Sequence, residues 1–359
     1  MKEEIIRART RAICRQLKQK GANCLLLTSP ANVTYATGFM GDDSWAMVTP
    51  GRTYLLTDSR YTEQAQKECP DCSIIERVAS LAEAAGRLVR RLKSVRSVTV
   101  EKSASLADFH ALKKSLGLPL KAAADIVETV RAVKDAGEIS NIKAAASIAA
   151  KALRRTLCRV KPGMTENEFA GLLDYAIRTL GARNSFDTIV AFGPNASRPH
   201  HQPGHRRLKA TDTVLIDFGA RYNGYCSDVT RCFVLGEATA FYRTVYDVVE
   251  RAQAAAIKLI KPGAEIAEVD AAPRAVIRTS NLPVYGHGTG HGFGLEIHEA
   301  PFLKVKAVGR LRAGQVITIE PGVYIPGRLG VRIEDDVLIT DTGARVLTRN
   351  CPHSYLLPS

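Results

Sequence analysis

The sequence predicts an α+β protein of two domains, and three observations lead to this prediction. The 359 residues are 45% hydrophobic and 24% charged, an ordinary globular composition, and this length suits about two domains. Strand-like runs and helical segments share residues 1–130, which is typical of an α/β domain. Residues 131–359 begin with a long Ala-rich helix and contain an internal repeat, each copy of which leads into apolar, Gly-rich segments that resemble hairpins.

The N-terminal domain, residues 1–130, gathers no catalytic residue types. It opens with an amphipathic helix, and strand-like runs follow at residues 22–28, 45–49, 53–57, 73–78 and 97–101. We expect its single histidine, His110, on a helix surface. Cys69 and Cys72 form a lone CxxC pair with no second pair and no nearby histidine, which is a weak zinc signal. We therefore expect a loop before a strand at this pair.

The C-terminal domain, residues 131–359, contains a repeat with an offset of 100 residues. Val160-Lys-Pro-Gly163 recurs as Ile260-Lys-Pro-Gly263, and Ala176-Ile-Arg-Thr179 recurs as Val276-Ile-Arg-Thr279. Two matches in one register predict two similar halves, related by a pseudo-two-fold axis, with a site between them. We expect Pro273 to interrupt the helix of the second copy, because proline lacks a backbone donor.

A hairpin in the first half holds two acidic residues. Asn223-Gly224 is a strong turn signal, because both residues tolerate positive φ. This turn would place Asp217 and Asp228 as diagonal neighbours on one face, about 7–8 Å apart at the backbone. Two carboxylates at that spacing repel unless a cation lies between them. The alternative is a pair of polar residues on a solvated face, which the apolar neighbours of both aspartates disfavour.

Three further candidates lie in the second half. His291 lies in the Gly-rich segment 286–294, where the glycines let the backbone approach the partner of this histidine. Glu320 and Glu334 lie in two apolar runs that we expect to pair as strands. Together with the two aspartates, these residues form an oxygen-rich set with one imidazole, which favours Mn²⁺, Co²⁺ or Zn²⁺. Two divalent cations would balance four carboxylates, so we expect a dinuclear centre that polarises a carbonyl and activates a water.

Four segments of this domain resemble, in order and spacing, the metallopeptidases of the methionine aminopeptidase, aminopeptidase P and prolidase group. They are IDFGARYNGYCSDVTR, GTGHGFGLEIHEAP, TIEPGVYIPG and GVRIEDDVLIT. Residues 29–39, SPANVTYATGF, are similar to the opening of the prolidase, aminopeptidase P and creatinase branch. The resemblance implies a C-terminal pita-bread catalytic domain and an N-terminal α/β creatinase-like domain. It also places Asp217, Asp228, His291, Glu320 and Glu334 at the family's five ligand positions, with Mn²⁺ as the expected metal.

The resemblance also implies catalytic roles. Glu320 would be ligand and general base, and His298 would stabilise the tetrahedral intermediate. His200 falls where the family places a substrate-binding histidine, although the neighbouring His201 remains an alternative. Arg332 either holds the C-terminus of the substrate or pairs with a ligand carboxylate. Two other histidines, His205 and His287, are expected in a loop and in a core or turn position.

The function implied by the resemblance is a metallo-exopeptidase that cleaves the bond before proline in short peptides. Xaa-Pro dipeptidase (prolidase) is the first choice, and Xaa-Pro aminopeptidase, which acts on longer peptides, is the alternative. A creatinase-like hydrolase and a non-enzymatic binding module are further alternatives, but such relatives lack ligands that this chain retains. We also expect a homodimer in which the N-terminal domain narrows the entrance.

Charge and hydropathy patterns exclude several other classes. The net charge is +14, but the basic residues are spread along the chain without an aromatic-basic motif, so we expect no nucleic-acid partner. No apolar run approaches the roughly 18 residues of a membrane span. The N-terminus lacks the apolar core of a secretion signal, and the eight cysteines are scattered. These features predict a cytoplasmic protein.

Overall fold

The computed structural model describes residues 2–356, and the chain divides into two compact units, Met1–Arg131 and Ala132–Ser359. The first unit surrounds one six-stranded sheet. Its helices are α1 (Lys2–Gln19), α2 (Pro30–Thr37), α3 (Thr62–Glu68), α4 (Leu81–Arg91), α5 (Leu106–Leu116) and α6 (Val127–Arg131). Its strands are β1 (Leu25–Leu27), β2 (Trp45–Val48), β3 (Thr53–Thr57), β4 (Ser73–Glu76), β5 (Val98–Glu101) and β6 (Leu120–Ala123).

The sheet of the first unit is mixed, with strand order β4-β3-β2-β1-β5-β6. The three central strands β3, β2 and β1 pair antiparallel, and the outer pairs are parallel. Strands β1, β2 and β5 are buried along their whole length, as expected for a sheet covered by helices. Cys69 and Cys72 lie between α3 and β4, and His110 is exposed on α5, both as predicted.

The second unit consists of four long helices and several small antiparallel sheets. Its helices are α7 (Ala136–Leu157), α8 (Glu166–Thr179), α9 (Ala240–Leu259) and α10 (Ile266–Thr279), and a 3-10 helix covers Gly193–Ser197. The first strands are β7 (Arg183–Asn184), β8 (Ile189–Phe192), β9 (Thr213–Phe218), β10 (Ala220–Tyr222), β11 (Tyr225–Cys226) and β12 (Val229–Val234). The later strands are β13 (Gly290–Gly292), β14 (Glu299–Leu303), β15 (Val316–Ile319), β16 (Gly322–Ile325), β17 (Leu329–Arg332), β18 (Asp335–Ile339) and β19 (Ala344–Val346).

The helices of the second unit pack against its sheets through three apolar clusters. Helices α7 and α8 cover β8, β9 and β12, with Phe169, Phe192 and Phe218 in the core. Helices α9 and α10 contribute to two further clusters, one of which contains Ile317 and Val337 of the sheet β14-β13-β15-β18-β19. Among residues 2–356, no helix combines the length and the apolar character needed to cross a membrane.

The hairpin register predicted from the Asn-Gly turn is confirmed. Asn223 and Gly224 have φ values of 48° and 85°, and Tyr222 pairs with Tyr225. The same register continues on the far side, where Asp217 of β9 pairs with Thr230 of β12. The predicted pairing of the glutamate-bearing runs is also confirmed, since β15 and β18 are antiparallel neighbours. Both acid-bearing hairpins therefore form as the sequence indicates.

The internal repeat is visible in backbone hydrogen bonds. The Gly163 N–H donates to the Leu208 carbonyl over 2.8 Å, and the Gly263 N–H donates to the Leu311 carbonyl over 2.8 Å. Helices α8 and α10 share the offset of 100 residues. The prediction that Pro273 interrupts the second helix is wrong, because α10 continues through Pro273 from Ile266 to Thr279. Val269, Pro273 and Ile277 lie on the buried side of α10, and the packing of this side stabilises the helix although Pro273 has no backbone N–H to donate.

Candidate metal centre and active-site cavity

Five acidic and histidine side chains, in or beside different strands, line one cavity of about 320 Å³ in the second unit. Asp217 lies in β9, and Asp228 directly precedes β12 in the same hairpin. His291 lies in the middle of β13, Glu320 follows β15, and Glu334 lies between β17 and β18. These are the five residues expected as metal ligands, and the structure brings them together. Their role as ligands stays a prediction.

Three of the five side chains form a tight group. Asp228, His291 and Glu334 each offer one atom within 4.8 Å of the others, and all three are buried. His291 Nε2 lies 3.7 Å from Asp228 Oδ2 and 3.6 Å from Glu320 Oε1. These separations are too long for hydrogen bonds. They leave a gap between nitrogen and oxygen donors that a cation can fill.

The orientation of His291 is set by the backbone around it. Its Nδ1 lies 3.1 Å from the Gly292 carbonyl and donates to it, so Nε2 keeps its lone pair toward the acids. Burial lowers the pKa of His291 to about 4, which keeps the ring neutral at pH 7. The preceding residue must be a glycine, because a Cβ at Gly290 would lie 1.9 Å from the Thr318 carbonyl oxygen. The strand therefore presents a neutral imidazole nitrogen, the form that binds metal.

The carboxylates of the cavity destabilise one another as anions. Burial is the main cause that raises the pKa of Asp228 and of Glu334 well above the usual range, and repulsion from neighbouring acids is the second cause. Burial raises the pKa of Glu320 to about 8. Asp217 Oδ1 is buried and has no hydrogen-bond partner within the described chain. An orphaned carboxylate oxygen among mutually repelling acids fits a pocket built for divalent cations.

Arg332 lines one side of the cavity and is itself buried. Its Nη2 pairs with Asp217 Oδ2 over 2.6 Å, and its Nε donates to Thr230 Oγ1 over 2.9 Å. Nη1 donates to the Tyr324 hydroxyl over 2.8 Å. Thr230 in turn donates its hydroxyl to Glu334 Oε2 over 2.6 Å. Of the two roles expected for Arg332, these contacts match the ion pair with a ligand carboxylate. Arg332 contacts Asp217 directly and Glu334 through Thr230, so it links the acids of both hairpins.

His200 and His298 also line the cavity, whereas His201 does not. His201 is buried outside it, with Nε2 2.9 Å from Glu166 Oε2. The rings of His298 and His291 contact edge to face, with centroids 4.4 Å apart. Desolvation lowers the pKa of His298, so its ring is neutral at pH 7. This placement supports His200 over His201 as the histidine that meets a substrate.

Sequence reasoning missed three contributors to the site. His287, expected in a core or turn position, lines the cavity, and burial lowers its pKa to about 4. The Tyr324 hydroxyl lies 3.0 Å from its Nε2. Asp336 accepts the Asp228 N–H over 3.2 Å and so fixes the backbone of that acid. The position of His287 four residues before His291 was a usable signal, but the contacts of Tyr324 and Asp336 depend on tertiary packing.

Part of the cavity wall is apolar and carries one cation. Phe186, Ile297 and Phe302 line it together with Lys304. Phe302 is 45% exposed and pairs with His291 across β13 and β14. Lys304 follows two residues later, directly after β14, and also lines the cavity. Its Nζ lies 5.9 Å from the centre of the Phe302 ring.

Comparisons with known proteins agree with this geometry. Residues 140–341 match Metallopeptidase family M24, and residues 9–133 match the Creatinase/Prolidase N-terminal domain. The uncharacterized peptidase YqhT of Bacillus subtilis is 38% identical over 92% of this chain and 95% of its own length.

Two solved structures illustrate the likeness of the fold. The Xaa-Pro dipeptidase from Bacillus anthracis has a TM-score of 0.94 and 33% identity, and the match covers 98% of this chain and 99% of that one. The X-Pro aminopeptidase from Thermotoga maritima has a TM-score of 0.89 and 34% identity, with coverage of 95% and 99%. The predicted family resemblance, the pita-bread fold and the creatinase-like N-terminal domain are confirmed.

Proposed function

The chain belongs to metallopeptidase family M24 and is a peptidase, and from that premise we propose that it hydrolyses Xaa-Pro dipeptides. One observation carries the choice of dipeptides. Among the described Lys and Arg residues that line the cavity, Lys304 is the one that no described carboxylate pairs with, because Arg332 pairs with Asp217. A dipeptide carries its carboxylate next to the scissile bond, whereas a longer peptide carries an amide there.

The position of Lys304 suits a carboxylate-binding role. It directly follows β14, in which Phe302 pairs with His291, and it lines the same cavity as the acids. A Cβ on Gly288 would lie 2.9 Å from the Leu303 carbonyl and 3.6 Å from Lys304 Cβ, so glycine keeps this strip of the wall open. A charge-assisted hydrogen bond from Lys304 to the substrate carboxylate contributes roughly 1.5–3 kcal/mol.

Asp217, Asp228, His291, Glu320 and Glu334 would hold two divalent ions, with Mn²⁺ as the proposed metal. Such ions polarise the scissile carbonyl and lower the pKa of a water. Asp217 is oriented by Arg332, Asp228 by Asp336, and Glu334 by Thr230. The chain therefore fixes the orientation of its acids before any ligand arrives, which favours metal binding.

Glu320 is the proposed proton carrier. Its carboxyl group lines the cavity, with Oε1 3.6 Å from His291 Nε2, where a carboxylate can take a proton from a water. It takes the proton from the attacking water and passes it to the leaving proline nitrogen. His298 and His200, open to the cavity, donate N–H groups to the oxygen that gains negative charge. A neutral His298 can donate without bringing a net charge beside the metal ions.

The test compares an Xaa-Pro dipeptide, its C-terminal amide and the tripeptide Xaa-Pro-Yaa, each with Mn²⁺. We expect the dipeptide to have the highest kcat/KM. Lys304→Met should raise the KM of the dipeptide about 10-fold or more and leave the amide unchanged, since about 1.4 kcal/mol is tenfold in binding. Lys306→Met, in the same loop but outside the cavity lining, is the control.

Two outcomes contradict the proposal. Faster turnover of the tripeptide than of the dipeptide would favour an Xaa-Pro aminopeptidase, as the likeness to the Thermotoga maritima structure allows. Equal effects of Lys304→Met on the dipeptide and on the amide would remove Lys304 from carboxylate binding. The proposed homodimer is tested separately, by light scattering of the purified protein.

A further inference from the structure

Two buried acids of the second unit, Glu166 and Asp270, lie outside the cavity lining and yet organise the loops that carry its histidines. Glu166 is the first residue of α8 and is 0% exposed. Asp270 lies in α10 and is 2% exposed. Helices α8 and α10 correspond to each other in the internal repeat, one in each half of the second unit. A buried carboxylate is costly unless hydrogen bonds satisfy it, so the partners of each acid show what it holds.

All the partners of Glu166 come from one loop. Oε1 accepts from the Phe192 N–H over 2.9 Å and from Asn195 Nδ2 over 2.8 Å. Oε2 accepts from His201 Nε2 over 2.9 Å and from the Gly204 N–H over 3.0 Å. Burial raises the pKa of Glu166, but these hydrogen bonds outweigh it and leave the pKa below the usual range. The carboxylate is therefore ionised at neutral pH and ties residues 192–204 to α8.

The loop held by Glu166 carries His200 between its tied points. His201 is the next residue in the chain, and its N–H donates to the Arg198 carbonyl over 3.1 Å. On the other side, the Pro199 carbonyl lies 3.4 Å from Arg332 Nη1. His200 itself faces the cavity. Release of His201 would therefore free the backbone that aims His200.

Asp270 acts in the other half through Arg274, one turn later on α10. Asp270 Oδ2 accepts from Arg274 Nε over 2.9 Å, and Oδ1 accepts from Nη2 over 2.8 Å. The remaining guanidinium donors hold the Tyr285 carbonyl at 2.9 Å and the His287 carbonyl at 2.6 Å. Asp270 Oδ1 also accepts from Thr289 Oγ1 over 2.7 Å. This ion pair fastens residues 285–289 to α10.

The loop held by Asp270 carries His287 and leads into His291. The Thr289 carbonyl accepts the Glu320 N–H over 2.8 Å, so the same loop also positions the proposed proton carrier. The Tyr285 ring stacks under Arg274, with the guanidinium 4.3 Å from its centre. The two halves thus use the same arrangement. In each, a buried acid on the second helix of the repeat fixes a histidine loop.

The two acids do not occupy equivalent positions in the repeat. With the offset of 100 residues, Glu166 corresponds to Ile266, and Asp270 corresponds to Ala170. Asp270 therefore lies one helical turn beyond the position of Glu166. Inheritance of one side chain by both halves does not explain this arrangement, whereas a shared need to hold a histidine loop does.

We propose that Glu166 and the Asp270–Arg274 pair are positioning residues, Glu166 for His200 and the pair for His287. This positioning proposal depends on the proposed peptidase function only in the experiments that measure activity. Each carboxylate acts through the histidine of its own half and not through that of the other half. A merely structural role would affect both halves alike.

Crossed double-mutant cycles test this proposal. Glu166→Gln and Asp270→Asn are each made in the wild type, in His200→Ala and in His287→Ala. We expect Glu166→Gln to lower kcat/KM about 10-fold in the wild type and in His287→Ala, but less than 2-fold in His200→Ala, because contacting residues couple. Asp270→Asn should lower kcat/KM about 10-fold in the wild type and in His200→Ala, and by a smaller factor in His287→Ala, where its effect on Glu320 through Thr289 remains. Glu168→Gln, an exposed acid two residues from Glu166 on α8, is the control.

Hydrogen–deuterium exchange of the metal-free protein gives a readout that needs no activity. Glu166→Gln should speed exchange at residues 192–206 and not at 285–291, and Asp270→Asn should do the opposite. Exchange that rises in both loops, or effects that add fully in every background, would overturn the proposal. A wild type inactive on all Xaa-Pro peptides but with segment-selective exchange would overturn the proposed function and leave the positioning inference standing.

Discussion

Glu101 of the first unit and the acids that line the cavity of the second unit are buried carboxylates with opposite surroundings. Glu101 in the first unit is 4% exposed and is surrounded by donors. Its Oε1 accepts from the Thr28 N–H over 2.5 Å and from the Thr28 hydroxyl over 2.9 Å, and also from the Ser29 N–H. Its Oε2 accepts from Asn32 Nδ2 over 2.6 Å. Burial raises the pKa of Glu101, and every one of these hydrogen bonds opposes that rise.

The acids that line the cavity of the second unit face one another instead. The neighbours that raise the pKa of Asp228 include Glu334, Asp217 and Glu320. Glu334 accepts one side-chain hydrogen bond, from Thr230, and Asp217 Oδ1 has no partner within the described chain. The comparison shows that burial alone does not identify a functional acid. A buried acid that accepts hydrogen bonds stabilises the fold, whereas buried acids that lie next to one another repel and need a cation between them.

The largest expected effect is on the unsatisfied acids. Glu320→Gln should lower kcat by roughly 10²–10⁴-fold, the usual range for loss of a general base. The melting temperature of the metal-free protein should stay the same or rise, because one of several repelling acids is removed. Peptide kinetics with Mn²⁺ and calorimetry without it measure the two effects. A melting temperature that falls would show that Glu320 stabilises the fold as Glu101 does.

The matching change in the first unit should have the opposite outcome. Glu101→Ala leaves the donors of Thr28, Ser29 and Asn32 without their acceptor, which costs about 1–3 kcal/mol of unfolding free energy. The kcat of the folded enzyme should be unchanged. Trp45, the one tryptophan, lies in β2 of this unit, so its fluorescence in urea reports the loss. Full stability in this variant would contradict a structural role for Glu101.

The smallest expected effect is a pH dependence of the metal-free protein. Glu320, Asp228 and Glu334 have raised folded-state pKa values, so the stability they contribute is present at acid pH and lost as pH rises. His287 and His291, with folded pKa values near 4 against 6.5 in the unfolded chain, act in the opposite direction below pH 6.5.

The acids therefore dominate between pH 6.5 and the value of about 8 for Glu320. In this window, the melting temperature of the metal-free protein should fall as pH rises, and saturating Mn²⁺ should reduce the fall. Calorimetry at several pH values measures both slopes. Equal slopes with and without metal would mean that the acids are satisfied without a cation.

The local features of the fold followed from the sequence where short-range chemistry decides them. The Asn223-Gly224 turn set the register of a hairpin, and the long Ala-rich helix expected at the start of the second domain is α7. Strand β6 was missed, because its run Leu120–Ala123 has exposed central residues and little apolar signal. The continuous α10 was missed because packing around Pro273 outweighs the local penalty.

The site was predictable to the extent that its residues lie in patterned strands. The five acidic and histidine residues could be selected because each lies in or beside an apolar or Gly-rich run. The roles of Thr230, Tyr324 and Arg332 depend on contacts between β12, β16 and β17. Sequence spacing does not encode those contacts, since they arise only when the separate sheets pack.

Anomalous diffraction from crystals grown with Mn²⁺ tests the central claim most directly. We expect two anomalous peaks in the 320 Å³ cavity, contacted by Asp217, Asp228, His291, Glu320 and Glu334. A single peak, or peaks away from these side chains, would contradict a dinuclear centre built from the unsatisfied acids of the second unit.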